Sequence, residues 1–556
     1  MPRSTPRIDE KAFLVEALSQ HKAGNYERAR DLYLAILTQN PKNAGAIFRL
    51  GTLALHIENY EKAVEFIEEA IEVGPATSSM HVNLGTALRN LERYDEAVAA
   101  YDQALTFKEN RADSYYNKGC ALQADKRHEE ARKSYEEALA INDQDADAWI
   151  NLGTVQRELN DLDQALHSFE SAARIKPDLG AAFGNAAAIL FDRALFEIST
   201  VLMDKAIELD PNNIDYRYRL AIFLLTFGKL EQGWKDFDTR FIAEEKAKAA
   251  YRLEPPPYWN EKNIKDLTGK KILFWTEQGL GEEILFAGIL PDILKRDIHC
   301  SIQCSKRMKP IFERSFEGIE FSSWGTHAET VAAADPPFEL QYPAFSLMKS
   351  IRPSLESIVS HAPYLKPEAI LRKKFRTKYE KMAKGRRIVG LSWRSKNLEV
   401  GEAKTIDLNA WAPILKTENV FFVNLQYGEC SKEIESVREK FSVEIYVDPD
   451  VNALGELDPV FAQIAAVDMV VSASNSNVHI AGAMGIPTWT ILPLARGLLW
   501  FWFLDREDSP WYPSVQLFRQ KSTPLPGQDW WPEVIDEVAG ALSDWLAKPL
   551  ASRPDP

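Results

Sequence analysis

Two hydrophobic rhythms follow one another along the chain. Between about residue 10 and about residue 247, small and large apolar positions recur every 34 residues. Steps of that size from Ala29 land on Ala63, Ala97, Ala131, Ala165, Ser199 and Gly233. Steps from Ala17 land on Gly51, Gly85, Gly119, Gly153, Ala187 and Ala221. Large apolar residues keep the same ruler at Tyr33, Ile67, Tyr101, Tyr135, Phe169, Met203 and Phe237, and Pro41, Pro75, Pro177 and Pro211 close several units. A sustained period of that length predicts stacked helical pairs. Pro255, Pro256 and Pro257 stop the pattern, because proline cannot continue a helix. From Lys270 onward, short apolar runs alternate with helical patterns. "KILFWT", "IHCSIQC", "RIVGLSW", "VFFVNLQ", "EIYVD", "DMVVSAS" and "TWTILP" predict strands. Several are apolar throughout, as strands buried on both faces must be, and their alternation with helices predicts parallel α/β sheets. A polar stretch at 369–387 separates two groups of strands, so two Rossmann-like halves facing across a cleft are expected.

The first rhythm resembles the tetratricopeptide (TPR) pattern, two antiparallel helices per unit with small residues where they cross, and seven units fit without insertion or deletion. Such units stack into a superhelix whose concave face is used to hold another protein. At one position of successive units stand Arg49, Asn83, Asn117, Asn151, Asn185 and Arg219. A ladder of Asn83, Asn117, Asn151 and Asn185 could hold a peptide backbone without reading its sequence, since an amide carries both donor and acceptor. This resembles the asparagine ladder of the nucleocytoplasmic O-GlcNAc transferases. The competing reading is that these amides bond within the scaffold.

Charge and composition narrow the function classes. A chain of 556 residues exceeds one core and is expected to form two to four domains. A net charge of −15 argues against broad nucleic-acid binding, which needs a basic face. Cys120, Cys300, Cys304 and Cys430 make no C-x-x-C pair and read as reduced thiols. The N-terminus has no apolar signal core, and "GLLWFWFL" is too short to span a bilayer, so a cytoplasmic protein without membrane insertion is expected.

Two stretches of the second half carry candidate chemistry. "KILFWTEQGLGEEILFAGILP" reads as strand, Gly279-Leu280-Gly281 turn, then helix opened by Glu282 and Glu283. It fails the dinucleotide fingerprint: Ile284 stands at the third glycine position, and Lys306 and Arg307 follow the next strand where a ribose-binding acid is required. The better anion site is the elbow of "VVSASNSNVHIAGAMGIPTWTILP". Ser474, Asn475, Ser476 and Asn477 open a helix there, with His479 in its first turn. Free N–H groups and the positive dipole end suit a phosphate, although plain N-capping explains the same residues. Arg394 and Lys396 end another strand of this half and could stabilise a phosphate leaving group without a metal.

At this point the motifs "EQGLGEEILFA", "GLSWRS", "FVNLQYGE", "SNSNVHIAGAMGIPTWTILP" and "DREDSPWYPSVQLFRQ" resemble those of bacterial TPR-containing glycosyltransferases. Their catalytic half is similar to the heptosyltransferases of GT-B fold. With the repeats and "LLWFWFLDREDSPWYPS", the chain looks most like the flagellin glycosyltransferases of alphaproteobacteria. The resemblance implies an all-α TPR superhelix followed by an α/β GT-B region. The expected division is an N-terminal tail at 1–9, repeats at 10–247 and a Pro-rich linker at 248–269. The first Rossmann-like half is expected at 270–368, an interhalf linker at 369–387 and the donor-binding half at 388–556. The implied activity is transfer of a sugar, such as a nonulosonic acid like pseudaminic acid, from a nucleotide donor to Ser or Thr of a protein acceptor, flagellin. It implies inversion, no cofactor and no metal. Carried over by position, Glu282 falls where the family has Asp and is implied to be the general base, with Glu283 and His479 as further candidates. Donor contacts are implied for Gly279, Gly281, Trp393, Arg394, Lys396, Gln426, Ser474, Asn475, Ser476, Asn477, His479, Gly482 and Arg496, and acceptor contacts for the asparagine ladder. A glycan-directed transferase and a non-catalytic scaffold are the rival readings.

Overall fold

The small residues on the 34-residue ruler are the places where paired helices touch. The computed structural model describes residues 9–107, 112–243, 264–276, 279–325, 327–395, 401–522 and 531–549. The proline linker, the N-terminal tail up to residue 8 and Lys396 lie outside the described residues. Helices of 13 and 14 residues alternate, as in Ala44–His56 with Tyr60–Val73 and Ala146–Glu158 with Leu162–Ile175. A methyl group added at Gly85, Gly119 or Gly153 would stand 2.7, 2.7 or 2.6 Å from the ring of Tyr101, Tyr135 or Phe169. The glycine of one helix is therefore the seat of the aromatic ring on its partner, and both ruler positions report one contact.

The turn inside each pair uses a second periodic device. Gly24, Glu58, Glu92, Lys126, Asn160, Ala194 and Gly228 all have positive φ, between 59° and 77°. Only two of these are glycine, so the remaining five adopt the left-handed conformation against the preference of an L-residue.

The chain divides into two compact units, Met1–Ile189 with Glu208–Pro211, and Leu190–Ile207 with Asn212–Pro556. The division falls before the end of the repeats because the seventh pair is built into the α/β unit. Its second helix stops after Leu230–Gly233, and Phe237–Thr239 and Arg240–Ala243 follow as single turns. The Trp234 indole donates to the Arg352 carbonyl at 2.8 Å, and its ring meets Trp500 edge-on at 5.4 Å. Arg240 is fully buried, with its guanidinium over the rings of Phe237 and Phe241 and bonded to Asp238 and Ser346.

Within this unit lie two parallel sheets. The first contains β1 (Lys271–Trp275), β2 (His299–Cys304), β3 (Glu320–Ser323) and β4 (Leu340–Pro343) in the order β3-β2-β1-β4. The second contains β5 (Arg387–Ser392), β6 (Val420–Asn424), β7 (Ile445–Tyr446), β8 (Met469–Ala473), β9 (Thr488–Leu492) and β10 (Val515–Arg519), ordered β10-β9-β8-β5-β6-β7. Both follow the Rossmann order, in which the direction of winding reverses beside the first strand and leaves a crevice at the carboxyl edge. An all-α TPR array followed by parallel α/β halves is thus the architecture.

The polar stretch expected as a linker is a 15-residue helix, Ala369–Ala383, N-capped by Glu368. Phe375 and Tyr379 are buried, and Lys378 and Tyr379 both bond Asp448 at 2.8 Å. The stretch is polar because one face meets solvent and the other carries this ion pair and hydrogen bond.

Two substitutions test the repeat geometry by urea unfolding. Gly153→Ala forces a methyl against Phe169 and is expected to lower stability by about 1–3 kcal/mol. Ala194→Gly relieves a left-handed alanine and is expected to raise it by about 1 kcal/mol.

Candidate functional site

The first half of the site starts where β1 ends. Gly279 is the extended N-cap of the helix Leu280–Ala287, which places Glu282 and Glu283 in its first turn. Adjacent carboxylates on a helix point in different directions, and here their surroundings differ sharply. Glu283 is 2% exposed. Its Oε1 accepts from Thr276 Oγ1 at 2.6 Å and Ser305 N at 2.7 Å, and its Oε2 accepts from Ser305 Oγ at 2.7 Å. Burial pushes its pKa up, against the bonds from Ser305 and Thr276 that favour the charged form. Glu283 therefore anchors the ends of β1 and β2, which corrects its reading as a stand-in base. Glu282 is half-buried, and its carboxylate curls back so far that a methyl on Gly279 would lie 2.9 Å from Oε2. The positive end of the helix dipole favours a carboxylate in that position.

The second half is built at the crevice between β5 and β8. Asn475 caps the helix Ser476–Ala483, its Oδ1 accepting from Asn477 N at 3.0 Å. Its Nδ2 donates to Ser392 Oγ at 2.8 Å, and Ser392 Oγ donates to Gln426 Oε1 at 3.2 Å. Asn477 Nδ2 donates to the Leu425 carbonyl at 2.9 Å, and Ser474 Oγ accepts from the Trp502 indole at 3.0 Å. The elbow side chains thus pin the carboxyl ends of β5, β6 and β8 together. The capping reading accounts for Asn475, and among these elbow residues Ser476 alone is half-exposed.

The two helix starts meet at one residue. A methyl on Gly281 would stand 2.8 Å from His479 Cδ2 and 3.1 Å from Nε2, so only glycine lets the first helix reach this imidazole. His479 is buried, shares a hydrogen bond of 2.9 Å between Nδ1 and the Tyr512 hydroxyl, and packs against Phe501 and Trp502 at 5.1 Å each. Burial first, and the charge of Lys404 second, hold its pKa down to about 3. It is a neutral ring near pH 7, seated at the junction of the two helix starts. The segment leaving the first half secures the same junction. Tyr364 N donates to the Ala483 carbonyl at 2.8 Å, and Tyr364 Oη donates to the Ile284 carbonyl at 2.8 Å.

Lys404 is the residue that sequence reasoning missed. It is 3% exposed, at the end of the short turn Glu402–Lys404. Burial lowers its pKa to about 8, opposed by Glu282, the charge that favours its cationic form. A carboxylate, a buried cation and a neutral imidazole therefore act on one another electrostatically at the crevice. The polar loop "GEAKTIDL" carries no local pattern that announces such a cation.

Other expected donor contacts are placed differently. Trp393 is fully buried in the core of the second half, its indole donating to Glu433 Oε1 at 3.0 Å, so its side chain is packing rather than a donor contact. Gln426 Oε1 accepts from Trp393 N at 3.0 Å and Arg394 N at 2.9 Å, holding the loop after β5. The Arg394 guanidinium pairs with Glu433 at 3.0 Å and donates to the Glu429 carbonyl, so its charge is already balanced. Gly482 seats the Tyr512 ring, 2.6 Å from where a methyl would be. Arg496 is half-buried, four residues after the end of β9. In the repeats, Asn83 Nδ2 donates to Thr52 Oγ1 at 3.3 Å, Asn117 Nδ2 to the Asp113 carbonyl at 2.8 Å, and Asn151 Nδ2 to the Tyr116 hydroxyl at 3.0 Å. Asn185 is half-buried. An N–H of each of these three amides is thus engaged within the scaffold.

Comparison with known proteins supports the repeat half most strongly. Tetratricopeptide repeat models match residues 14–76, 76–144, 110–178 and 202–235. Protein FlbA of Caulobacter vibrioides is 32% identical over 391 residues, covering 67% of this chain and 63% of FlbA. The chain therefore spans less than two thirds of that relative's length. Among solved structures, YrrB, described as a TPR protein with an unusual peptide-binding site, is 22% identical, with a TM-score of 0.30, over 33% of this chain and 94% of its own. The C-terminal part of a TPR repeat-containing protein from Cytophaga hutchinsonii is 16% identical, with a TM-score of 0.37, over 43% of this chain and 100% of its own. The chain carries tetratricopeptide repeats in its first half and is similar to FlbA over 391 residues. No helix among the described residues is long and apolar enough to cross a membrane.

The junction is testable without any substrate. Gly281→Ala is expected to lower the unfolding free energy by about 1–3 kcal/mol through overpacking against His479. Adding His479→Ala should make the pair less destabilised than the sum of the single changes, because the two residues touch. Additive effects would show that they do not.

Proposed function

We propose that the chain is a protein O-glycosyltransferase that moves a sugar from a nucleotide donor to a Ser or Thr hydroxyl of flagellin. The observation that supports this best is the apposition of Glu282, on the first Rossmann-like half, with Lys404 and the elbow at 474–479 on the second. Acceptor-side base and donor-side cation are the two groups this transfer requires, and each comes from a different half. Glu282 takes the proton of the acceptor hydroxyl as its oxygen attacks the anomeric carbon. The bond from that carbon to the donor phosphate breaks, and the phosphate leaves with the electron pair. Lys404 and the helix start at Ser476 stabilise the departing anion, since preorganised charge acts strongly at a buried site. Neutral His479 fixes the spacing between the halves. The tetratricopeptide repeats are an interaction module, and their part in this reading is to hold the acceptor protein. The donor sugar is a nonulosonic acid in the form suggested by the sequence resemblance, and the protein works in the cytoplasm, where flagellin is made.

Glu282→Gln is expected to cut transfer by about 10²–10⁴-fold, the usual scale for loss of a general base, while donor binding persists. Undiminished transfer in this variant would remove Glu282 from the mechanism. A second expectation concerns pH. Lys404 is cationic below about pH 8 and neutral above it, so affinity for the donor nucleotide should fall as pH rises. Between pH 7 and 9 the loss should be about tenfold for one proton. Calorimetric titration with CMP, UDP, GDP and ADP at both pH values checks it, with Lys404→Met expected to bind weakly and without that pH dependence.

A further inference from the structure

The segment that returns from β9 is tied down where it passes the elbow, and the group that ties it is Arg519, the last residue of β10. Strand register places this residue. Arg519 pairs with Leu492, and Ile491, one step earlier, pairs with Ala473, the residue before Ser474. Arg519 therefore stands level with the elbow, two strands away, or about 10 Å between backbones. Its Nη2 donates to the Trp502 carbonyl at 3.2 Å and to the Phe503 carbonyl. The neighbouring Gln520 fixes the start of the same segment, its Oε1 accepting from Leu494 N at 3.2 Å. Between these two anchors lies Trp502, whose indole donates to Ser474 Oγ at 3.0 Å and whose ring packs on His479.

Packing does not explain two features of this anchor. Phe503 has a φ of 46°, a conformation that a bulky L-residue avoids and that persists only where its surroundings impose it. Here they impose it from both sides. Arg519 holds the Phe503 carbonyl, and the next N–H, that of Leu504, donates to the Thr226 carbonyl at 3.1 Å. The second feature is charge. Burial lowers the Arg519 pKa to about 10, yet both of its bonded partners are neutral carbonyls, and Asp505, the carboxylate that opposes the shift, is exposed. Its Nη1 is covered and has no hydrogen-bond partner. The guanidinium thus acts through the segment it holds, and its positive charge stays unspent beside a helix start that suits an anion.

We propose that Arg519 is a positioning residue for anion binding at the elbow: by holding the strained turn at Phe503 it sets Trp502, and through Trp502 it sets Ser474. This rests on the reading of the elbow as the donor-phosphate site and names a residue outside the elbow that fixes its geometry.

The full chain is titrated with CMP, UDP, GDP and ADP, and hydrogen exchange of the peptides covering 474–479 and 500–503 is followed without ligand. Arg519→Met is expected to weaken binding of the tightest nucleotide about tenfold, the scale of one hydrogen bond to a charged group. Exchange in both peptides should quicken while the rest of the α/β unit keeps its protection. Arg519→Lys, which keeps a cation able to donate to the two carbonyls, should recover most of the affinity. Trp502→Phe removes the indole N–H. Combined with Arg519→Met, it should cost little more than the larger single loss, because both act through one chain of contacts. Unchanged affinity in Arg519→Met, or unchanged exchange at 474–479, would overturn the proposal. So would additive losses in the double variant, or exchange that quickens across the whole unit, which would make Arg519 a core residue only. If the wild-type protein binds none of the four nucleotides, the donor reading of the elbow fails, and exchange at 474–479 still decides whether Arg519 sets its geometry.

Discussion

The α/β unit depends on the contact between Gly281 and His479. Two helices, one from each half, bring their N-termini together there, and a single methyl group would separate them. The contact works because each partner is specialised. Gly281 supplies the absence of a side chain. His479 supplies a ring fixed by Tyr512, Phe501 and Trp502 and kept uncharged by burial. A charged ring at this depth would demand its own counter-ion, and the approach of Glu282 would then change in character. The aromatic run 500–503, together with Trp511 and Tyr512, is thus the wall that holds the imidazole in place. Tyr364 bonds backbone carbonyls of both helices and closes the same junction from behind.

A second constraint fixes the end of the repeats. Trp234 and Arg240 both come from the last repeat, yet their partners, Arg352, Ser346 and Trp500, belong to the α/β part. The Arg240 guanidinium is buried between two phenylalanine rings with hydrogen bonds to Asp238 and Ser346, an arrangement that is costly to break once formed. The seventh repeat is therefore an extension of the α/β unit and not a free cap of the array.

The extent to which the sequence disclosed this architecture follows physical lines. The 34-residue ruler was legible because glycine and aromatic ring are two ends of one contact, repeated without slippage. The left-handed turn was not legible, because Glu58, Glu92, Lys126, Asn160 and Ala194 occupy positions where glycine would have been the signal. All seven runs read as strands form them. β3 and β4 escaped because "EFSS" and "LQYP" are short and half polar, and β10 because "VQLFR" alternates at a sheet edge. At the site, local motifs located the helix starts but not the direction of their side chains. Glu282 and Glu283 are neighbours in sequence with opposite surroundings, Trp393 lies in a motif yet points into the core, and Lys404 has no motif at all. Burial and long-range partners decide each of these, and neither is written in a local stretch.

Transfer of a sugar to a protein hydroxyl in the cleft between the halves is the proposed activity. Its most direct test is the intact mass of unmodified flagellin after incubation with the wild-type protein and a panel of nucleotide sugars, nonulosonic acid donors included. Flagellin is expected to gain the mass of one or more donor sugar residues, on Ser or Thr. Flagellin of unchanged mass, with a free oligosaccharide in the same mixture extended instead, would contradict it.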